Sequence, residues 1–418
     1  MEKKKVICPG CSISCDDIYL QLENGKINHV LNTCLKGFAK FSRLNKNRLD
    51  KYYIMKYDMQ KEVHYDQSIE FLITHLKNAK KTLFLLGKNA TLEDISNTFM
   101  LAEKVKGIVS CPGAQLYLNF FRKLKLANIE IPTYEEMINL VDTMVFWGTN
   151  PSATHLRHAS KFSVLTRGEK ITKGKEDRFV VMIDVRKTEI RVLTDEFIQL
   201  KSNQDIELIN IFLDLVNAKE VDSVPFDYPV KDLVQINKYF QKSDEIVFFI
   251  GDGFLMNPMD TIDKFIELVL LLKNKGLNVK ILPMVETSGI NNYISIVSEK
   301  YEEKNSMDFA KNSEIKILID DTIKDIDLIV YLDYDPIANL PFNSIKDLLK
   351  KRSIQFGTKK SWISMIADLL IPISEPFIES SGTGKRLDFT EVTQDKIIEH
   401  ENSLKALSEI LNSVIKQL

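Results

Sequence analysis

Short apolar runs, each the length of one buried strand, recur along this chain and are separated by stretches with helical spacing. Thr82–Gly87, Ile108–Cys111, Met144–Gly148, Phe179–Val185, Glu245–Gly251, Val279–Met284, Leu328–Asp333 and Leu369–Ile373 are rich in β-branched and aromatic residues, and several end at Gly or Asp. Between them, Gln67–Ala79 sets Ile69, Leu72, Ile73 and Leu76 on one face, and Asp205–Leu215 and Asp260–Lys273 repeat the pattern. A strand this apolar needs cover on both faces. Alternating helices supply that cover, so the pattern predicts an α/β fold with mainly parallel sheets. In such sheets ligands bind where loops leave the carboxyl ends of the strands. The terminal stretch Lys396–Leu418 carries Ile397, Leu404, Leu407, Leu411 and Val414 at helical spacing, which predicts an amphipathic helix packed on its own domain.

The length of 418 residues is that of two to three domains. A net charge of -2, from 56 basic and 58 acidic residues, gives no basic face and argues against nucleic acid as partner. No apolar run is long enough to span a bilayer; one of the densest, Ile266–Leu272, still holds Glu267. The opening MEKKKVICPGC lacks the apolar stretch of a signal peptide, so the expected compartment is the cytoplasm, with no membrane association. There, the 5 cysteines are better read as metal ligands or reactive thiols than as disulfides.

Cys8, Cys11 and Cys15 crowd one short loop, and Cys34 follows after eighteen intervening residues. Ile18–Leu22 and Lys26–Leu31 flank Asn24-Gly25, the signature of a β-hairpin that would bring Cys34 back to the loop. Four thiolates suit an iron–sulfur cube, three of them from a tight loop at little ordering cost. Structural zinc also accepts four cysteines, though it favours two separated pairs. Cys111 stands apart, at the end of an apolar run and before Pro112-Gly113, where a thiol can meet a bound group; an inert buried cysteine is the plainer reading.

Cys-x2-Cys-x3-Cys, a hairpin, then Cys34-Leu35-Lys36-Gly37 resembles the opening of the molybdopterin-dinucleotide oxidoreductases, such as formate dehydrogenases. An ordered set of further segments narrows the resemblance to the B-type subunit of formylmethanofuran dehydrogenase. These are Cys15-Asp16-Asp17-Ile18, Phe146-Trp147-Gly148-Thr149-Asn150-Pro151, His155-Leu156-Arg157-His158, Asp184-Val185-Arg186-Lys187-Thr188 and Gly382-Thr383-Gly384-Lys385-Arg386-Leu387-Asp388. The resemblance implies a [4Fe-4S] cluster on Cys8, Cys11, Cys15 and Cys34, with Lys36 between cluster and pterin. It implies a tungsten or molybdenum bis(molybdopterin guanine dinucleotide) whose metal is held by Cys111, the catalytic ligand.

Gly148 with Asn150-Pro151 makes a turn that lets backbone approach a dinucleotide, Arg157 and His158 are candidates to meet diphosphate oxygens, and His155 is a further cofactor candidate. Asp184, Arg186 and Thr188, and then Gly382, Thr383 and Arg386, complete the cofactor candidates. The activity implied is CO2/formate interconversion, the metabolic setting methanogenesis. The partners implied are the other subunits of such a complex, among them a small pterin-binding barrel subunit and iron–sulfur electron-transfer proteins.

Two positions depart from the family pattern. Pro112 stands where a histidine follows the metal-binding cysteine, and Val285 stands where an arginine is usual, with Glu286 beside it. Proline neither titrates nor donates, and a carboxylate repels formate. Two alternatives therefore stay open: a divergent molybdopterin paralogue with another substrate, and a non-catalytic electron-relay or scaffold subunit.

The expected organisation is a cluster lobe over 1–50, a discontinuous α/β domain formed by 51–140 with 335–418, and a Rossmann-like pterin-dinucleotide-binding domain over 141–334. Replacing Cys34→Ser should break or downgrade the cluster and spare the α/β domains. An unchanged cubane signal in electron paramagnetic resonance of the reduced variant would show the ligand assignment to be wrong.

Overall fold

The computed structural model describes residues 2–57, 59–301, 306–311, 313–314, 324–340 and 342–418. The chain forms two compact units. One comprises Met1–Gln115, Thr287–Arg386 and Glu391–Leu418; the other comprises Leu116–Glu286 with Leu387–Thr390.

The second unit is built on a five-stranded sheet, parallel throughout, in the order Glu196–Gln199, Phe179–Asp184, Thr143–Trp147, Glu245–Ile250, Asn278–Pro283. Thr143–Trp147 is buried along its whole length, as a central strand covered on both faces must be. The chain enters the sheet there, adds strands on one side, then crosses to Glu245–Ile250 and adds on the other. Helix Met259–Asn274 covers the sheet through Phe265, which meets Trp147, Phe248 and Phe254 with ring centroids 5.7, 5.3 and 4.9 Å apart. Burying each such ring stabilises by about 1.5–3 kcal/mol, before any edge-to-face gain.

The first unit contains a nine-stranded sheet. Its parallel centre runs Ile108–Ser110, Thr82–Leu86, Leu328–Leu332, Arg352–Gly357, Leu369–Pro372. Antiparallel additions close both edges: Ser306–Asp308 with Ser313–Glu314 on one side, Tyr52–Lys56 with Met59–Val63 on the other. Helix Leu92–Lys104 starts at a capping box in which Thr91 and Asp94 serve each other's backbone N–H groups at 3.1 and 3.0 Å. The second Asp94 oxygen takes the N–H of Ser408 at 2.8 Å, which docks helix Leu407–Gln417 onto the same face.

The N-terminal segment folds as three antiparallel strands, Glu2–Val6, Ile18–Glu23 and Lys26–Leu31. The hairpin turns on Asn24 and Gly25, both at positive φ (51° and 73°), the combination a two-residue turn of this hand requires. Gln394 Oε1 accepts the N–H of Ile7 at 2.7 Å, which ties this sheet to the two-stranded ribbon Gly382–Lys385/Glu391–Gln394.

Each apolar run named from sequence is a strand. Two readings are corrected. Ser306–Asp308 and Leu328–Leu332, placed by sequence within 141–334, lie in the nine-stranded sheet, and the units change over at Gln115/Leu116 and Glu286/Thr287. An apolar run identifies a buried strand but not which of two parallel sheets receives it; the pairing of Leu328–Leu332 with Thr82–Leu86 decides that. The terminal helix covers only Leu407–Gln417. Before it, Ile397 and Ile398 both donate to the carbonyl of Ile378, and Ser403 sits at φ 48°, so this stretch turns instead of coiling.

Gly148 follows the central strand of the second unit at φ 58°, and a Cβ there would lie 2.2 Å from the Phe254 nitrogen. Gly276 is also left-handed (φ 89°), with open space around it. Gly276→Ala should therefore cost only the backbone term, about 1 kcal/mol, and Gly148→Ala that term plus displacement of a neighbouring backbone, about 3 kcal/mol or more. Urea unfolding of the two variants checks this: equal losses would show that Gly148 is not tightly packed.

Candidate functional site

The thiol loop comes first in the chain and is the most tightly specified. Cys8 N–H donates to the Cys15 carbonyl at 2.9 Å, and Ser14 N–H to that of Cys11 at 3.1 Å, with Ser14 at φ 50°. Cys8, Cys11 and Cys15 are buried, Cys34 half-buried, and all are free thiols. Gly10 N–H points at Cys8 Sγ (3.4 Å), and the backbone of Ile13 donates to the Cys11 sulfur. Cys34 caps helix Leu35–Ser42, and the third residue of that helix is Gly37, where a Cβ would stand 2.7 Å from Cys8 Sγ. The hairpin thus returns Cys34 to the loop, and only glycine admits the contact.

Burial pushes the Cys8 and Cys11 thiols up to about 12. Backbone N–H groups, together with Lys40 for Cys8 and Lys36 for Cys11, act in the opposite direction. Among the described residues no three His, Cys, Asp or Glu side chains are gathered as a single metal ion requires. The donor chemistry of the loop, four reduced thiols with N–H groups directed at two of the sulfurs, fits an iron–sulfur cluster.

Cys111 follows strand Ile108–Ser110 and starts the turn Pro112–Ala114. It is 1% exposed, and burial raises its thiol to about 12 against backbone donation from Ala114 and Gly113 and the charge of Lys88. Around it the first unit assembles several segments far apart in sequence. Gly289 N–H donates to the Lys88 carbonyl at 3.1 Å, and a Cβ on Gly113 would sit 3.2 Å from Ile290. Asn292 takes the N–H of Lys385 at 2.6 Å and donates to the Ala90 carbonyl at 2.8 Å, while Asn291 donates to the Arg386 carbonyl at 2.8 Å. Thr383 N–H reaches Glu93 at 3.1 Å. The start of helix Ser288–Lys300 therefore brings Gly382, Thr383 and Arg386 to the same end of the sheet as Cys111.

In the second unit the strand order reverses between Thr143–Trp147 and Glu245–Ile250, and ligands bind at such a switch point. Gly148 and Asn150 leave one strand there. Asn150 donates to Glu189 at 3.1 Å, and its Oδ1 is buried without a partner. Asp184 ends the next strand, with its carboxyl raised by burial and opposed by the N–H and charge of Arg186. Arg186 is exposed; Thr188 is buried and donates to Met182 Sδ at 3.3 Å. Arg157 is half-buried.

His155 and His158 lie inside this unit. His155 Nε2 is 3.1 Å from the Val285 carbonyl. His158 stands edge-on to Phe249 and Phe146, with Nδ1 2.9 Å from Ser163 Oγ and Nε2 lacking a partner. Sequence reasoning missed Gly251-Asp252-Gly253 on the far side of the switch point. Gly251 N–H donates to the Trp147 carbonyl (3.1 Å) and Gly253 N–H to that of Gly148 (3.0 Å). A Gly-x-Gly after an apolar run was the available signal.

The fold and site together define a class: an α/β protein with parallel sheets of the kind found in two solved enzymes. A chain of the formyltransferase/hydrolase complex from Methylorubrum extorquens, solved with methylofuran, matches with TM-score 0.69 and 11% identity, covering 88% of this chain and 98% of that one. Acetylene hydratase from Pelobacter acetylenicus matches with TM-score 0.62 and 10% identity, over 99% of this chain and 69% of that one. Sequence carries the comparison further. The chain is 25% identical to the B-type subunit of tungsten-containing formylmethanofuran dehydrogenase 2 from Methanococcus maripaludis, over 99% of this chain and 98% of that protein. The corresponding protein of Methanocaldococcus jannaschii is 25% identical over the same shares. No family model matches the chain. The resemblance to the formylmethanofuran dehydrogenase relatives thus holds along the whole sequence, and those relatives are oxidoreductases by name.

Burial pushes the His158 pKa down from 6.5 to about 3, with His155 adding to the effect. The unfolded chain then takes up the proton first as pH falls. The contribution is intact above the unfolded pKa and is lost between there and the folded value. At pH 5 the loss amounts to about 2 kcal/mol. Urea midpoints at pH 7 and pH 5 should therefore diverge more for the natural chain than for His158→Phe; equal divergence would mean His158 titrates normally in the fold.

Proposed function

We propose that the chain is the redox subunit of a formylmethanofuran dehydrogenase-like complex. It would interconvert CO2 and formate at a tungsten or molybdenum bis(molybdopterin guanine dinucleotide), with electrons passing through a [4Fe-4S] cluster. The single observation carrying this reading is the placement of all the cysteines: four on a loop and an adjoining helix cap with N–H groups aimed at sulfur, the fifth at a strand end beside Lys88. The whole-length similarity to tungsten-containing relatives supports it.

Cys111 would hold the metal as a thiolate, a ligand suited to an ion that changes oxidation state. Gly382, Thr383 and Arg386 in one unit, and Gly148, Asn150, Arg157, Asp184, Arg186 and Thr188 in the other, would bind the dinucleotides, with His155 and His158 supporting that turn from within. When bound, the metal–pterin group supplies the two-electron chemistry; the chain supplies orientation, exclusion of water and charge. Lys36, whose charge acts on Cys11, would lie between pterin and cluster. The complex would be cytoplasmic and would include a small pterin-binding barrel subunit and iron–sulfur electron-transfer proteins.

A second reading keeps the cofactors and changes the substrate. Pro112 opens the turn after Cys111, and Val285 is fully buried with its carbonyl engaged by His155, so neither residue offers a donor to a small carboxylate. Formate oxidation with an artificial electron acceptor separates the two readings.

Anaerobically purified protein should contain tungsten or molybdenum and about four irons per chain. Absence of both heavy metal and pterin would sink both readings. Cys111→Ala should abolish turnover while iron and fold are retained. A small core cysteine would instead cost about 1–2 kcal/mol of stability, with activity kept.

A further inference from the structure

Helix Leu35–Ser42 joins the thiol loop to a group of buried charges. It begins at Cys34, and its inward face carries Gly37 against Cys8 Sγ, then Lys40 and Phe41 one turn later. Lys40 Nζ lies 2.5 Å from Glu375 Oε1, with the two side chains 20% and 2% exposed. Behind them Arg48 stands 4.0 Å from the other Glu375 oxygen and pairs with Glu379. Arg48 is fixed in place by the carbonyls of Thr358 (2.7 Å) and Ile373 (2.9 Å), and Glu379 also takes the Glu375 N–H at 2.8 Å. Asp333 and Lys359 face the same group of charges.

A buried ion network is seldom the most stabilising way to fill a core, because desolvation cancels most of the attraction. This one adjoins a thiol ligand. Lys40 favours the charged form of Cys8, against the burial that raises its thiol. Charge acts strongly in a low-dielectric interior, and Lys40 lies one helical turn past the glycine that abuts Cys8 Sγ. An iron–sulfur cluster gains one negative charge on reduction, so a fixed cation beside a ligand favours the reduced state, and an anion paired with that cation offsets part of the effect.

We propose that Lys40, positioned by Glu375 and the Arg48–Glu379 pair, sets the reduction potential of the centre held by Cys8, Cys11, Cys15 and Cys34. This rests on the reading of those cysteines as cluster ligands. Lys40 and Glu375 are positioning and tuning residues, not catalytic ones. The inference predicts opposite signs. Lys40→Gln removes the cation and should shift the midpoint to more negative values. Glu375→Gln removes the offsetting anion and should shift it to more positive values. Lys40→Arg should stay near the natural potential. Each shift should reach at least tenfold in the reduction equilibrium, about 59 mV for one electron.

The test is a redox titration of anaerobically purified full-length chain, followed by electron paramagnetic resonance. Opposite shifts, with the arginine variant near the natural value, establish the assignment. Shifts of one sign in both neutral variants, no shift in either, or loss of iron from both while the natural chain keeps it would each overturn it. If the natural chain holds no iron and gives no cluster signal, the reading of the cysteines fails instead.

Discussion

Pairing of Thr82–Leu86 with Leu328–Leu332, five residues against five in parallel, is the contact on which the first unit depends. It joins segments more than two hundred residues apart, so its closure entropy has to be recovered by burial, and both strands are buried along their whole length. The strand order also reverses at this pairing. The chain turns away from Thr82–Leu86 toward Ile108–Ser110 on one side, while Arg352–Gly357 builds on the other. At the carboxyl ends Gly87 passes the Asp333 backbone so closely that a Cβ would stand 2.2 Å from its carbonyl oxygen. Asp333 is held at φ 51° and accepts bonds from the Thr358 N–H and hydroxyl at 3.1 and 3.2 Å. Tyr334, the next residue, has its hydroxyl pKa raised by burial first and then by the neighbouring Cys111, and Asp333 feels the charge of Lys40. One strand pairing thus puts the isolated cysteine and the charged network beside the thiol loop within reach of the same turn.

Much of this was legible in the sequence. Apolar runs announce buried strands because water is excluded from both faces, and that signal is local. Asn24-Gly25 announces its hairpin for the same reason: the turn's φ angles are properties of two adjacent residues. The cysteine spacing is legible because ligands from one loop must lie close in sequence. Membership of a sheet is not local. Leu328–Leu332 reads like Glu245–Ile250, yet they belong to different sheets. The stretch after Lys396 failed for another reason: apolar residues at helical spacing were instead drawn to the Ile378 carbonyl, a partner nineteen and twenty residues away that no window could contain.

The same contrast separates the site residues. Cys8, Cys11 and Cys15 were found by pattern, whereas Lys40, Arg48, Glu375 and Glu379 gave no signal, because an ionisable residue in sequence is by default a solvated one. Only the fold shows that a lysine six residues after Cys34 points inward and meets a carboxylate from the far end of the chain. Gly148 was visible as a turn, but its partner Gly253, whose N–H meets the Gly148 carbonyl at 3.0 Å, was separated from it by a crossover. Motif reading recovers thiols that a short loop gathers; it loses the charges packed beside them, which come from wherever the sheet brings them.

Pro112 in one unit and Val285 in the other bear on which substrate the proposed reading allows. A proline at the first position of the turn after Cys111 costs that turn nothing, since its missing N–H would have been unpaired there, and its fixed φ suits the geometry. The turn is therefore well made, and what it lacks is a titratable side chain. Val285 is likewise well packed, with its carbonyl held by a buried histidine. Neither position looks like damage to a site under no constraint. Each is a stable local solution that carries no charge. Electrostatic recognition of a small carboxylate needs a fixed cation or directed donors in a dry pocket, because an anion leaves water only when its charge is matched. Glu286 next to Val285 adds an anion, so a cation for that purpose has to come from other residues; beside Cys111, Lys88 is the charge already acting. On the proposed reading, chemistry at a metal held by Cys111 would be kept while selection of the substrate falls to other residues.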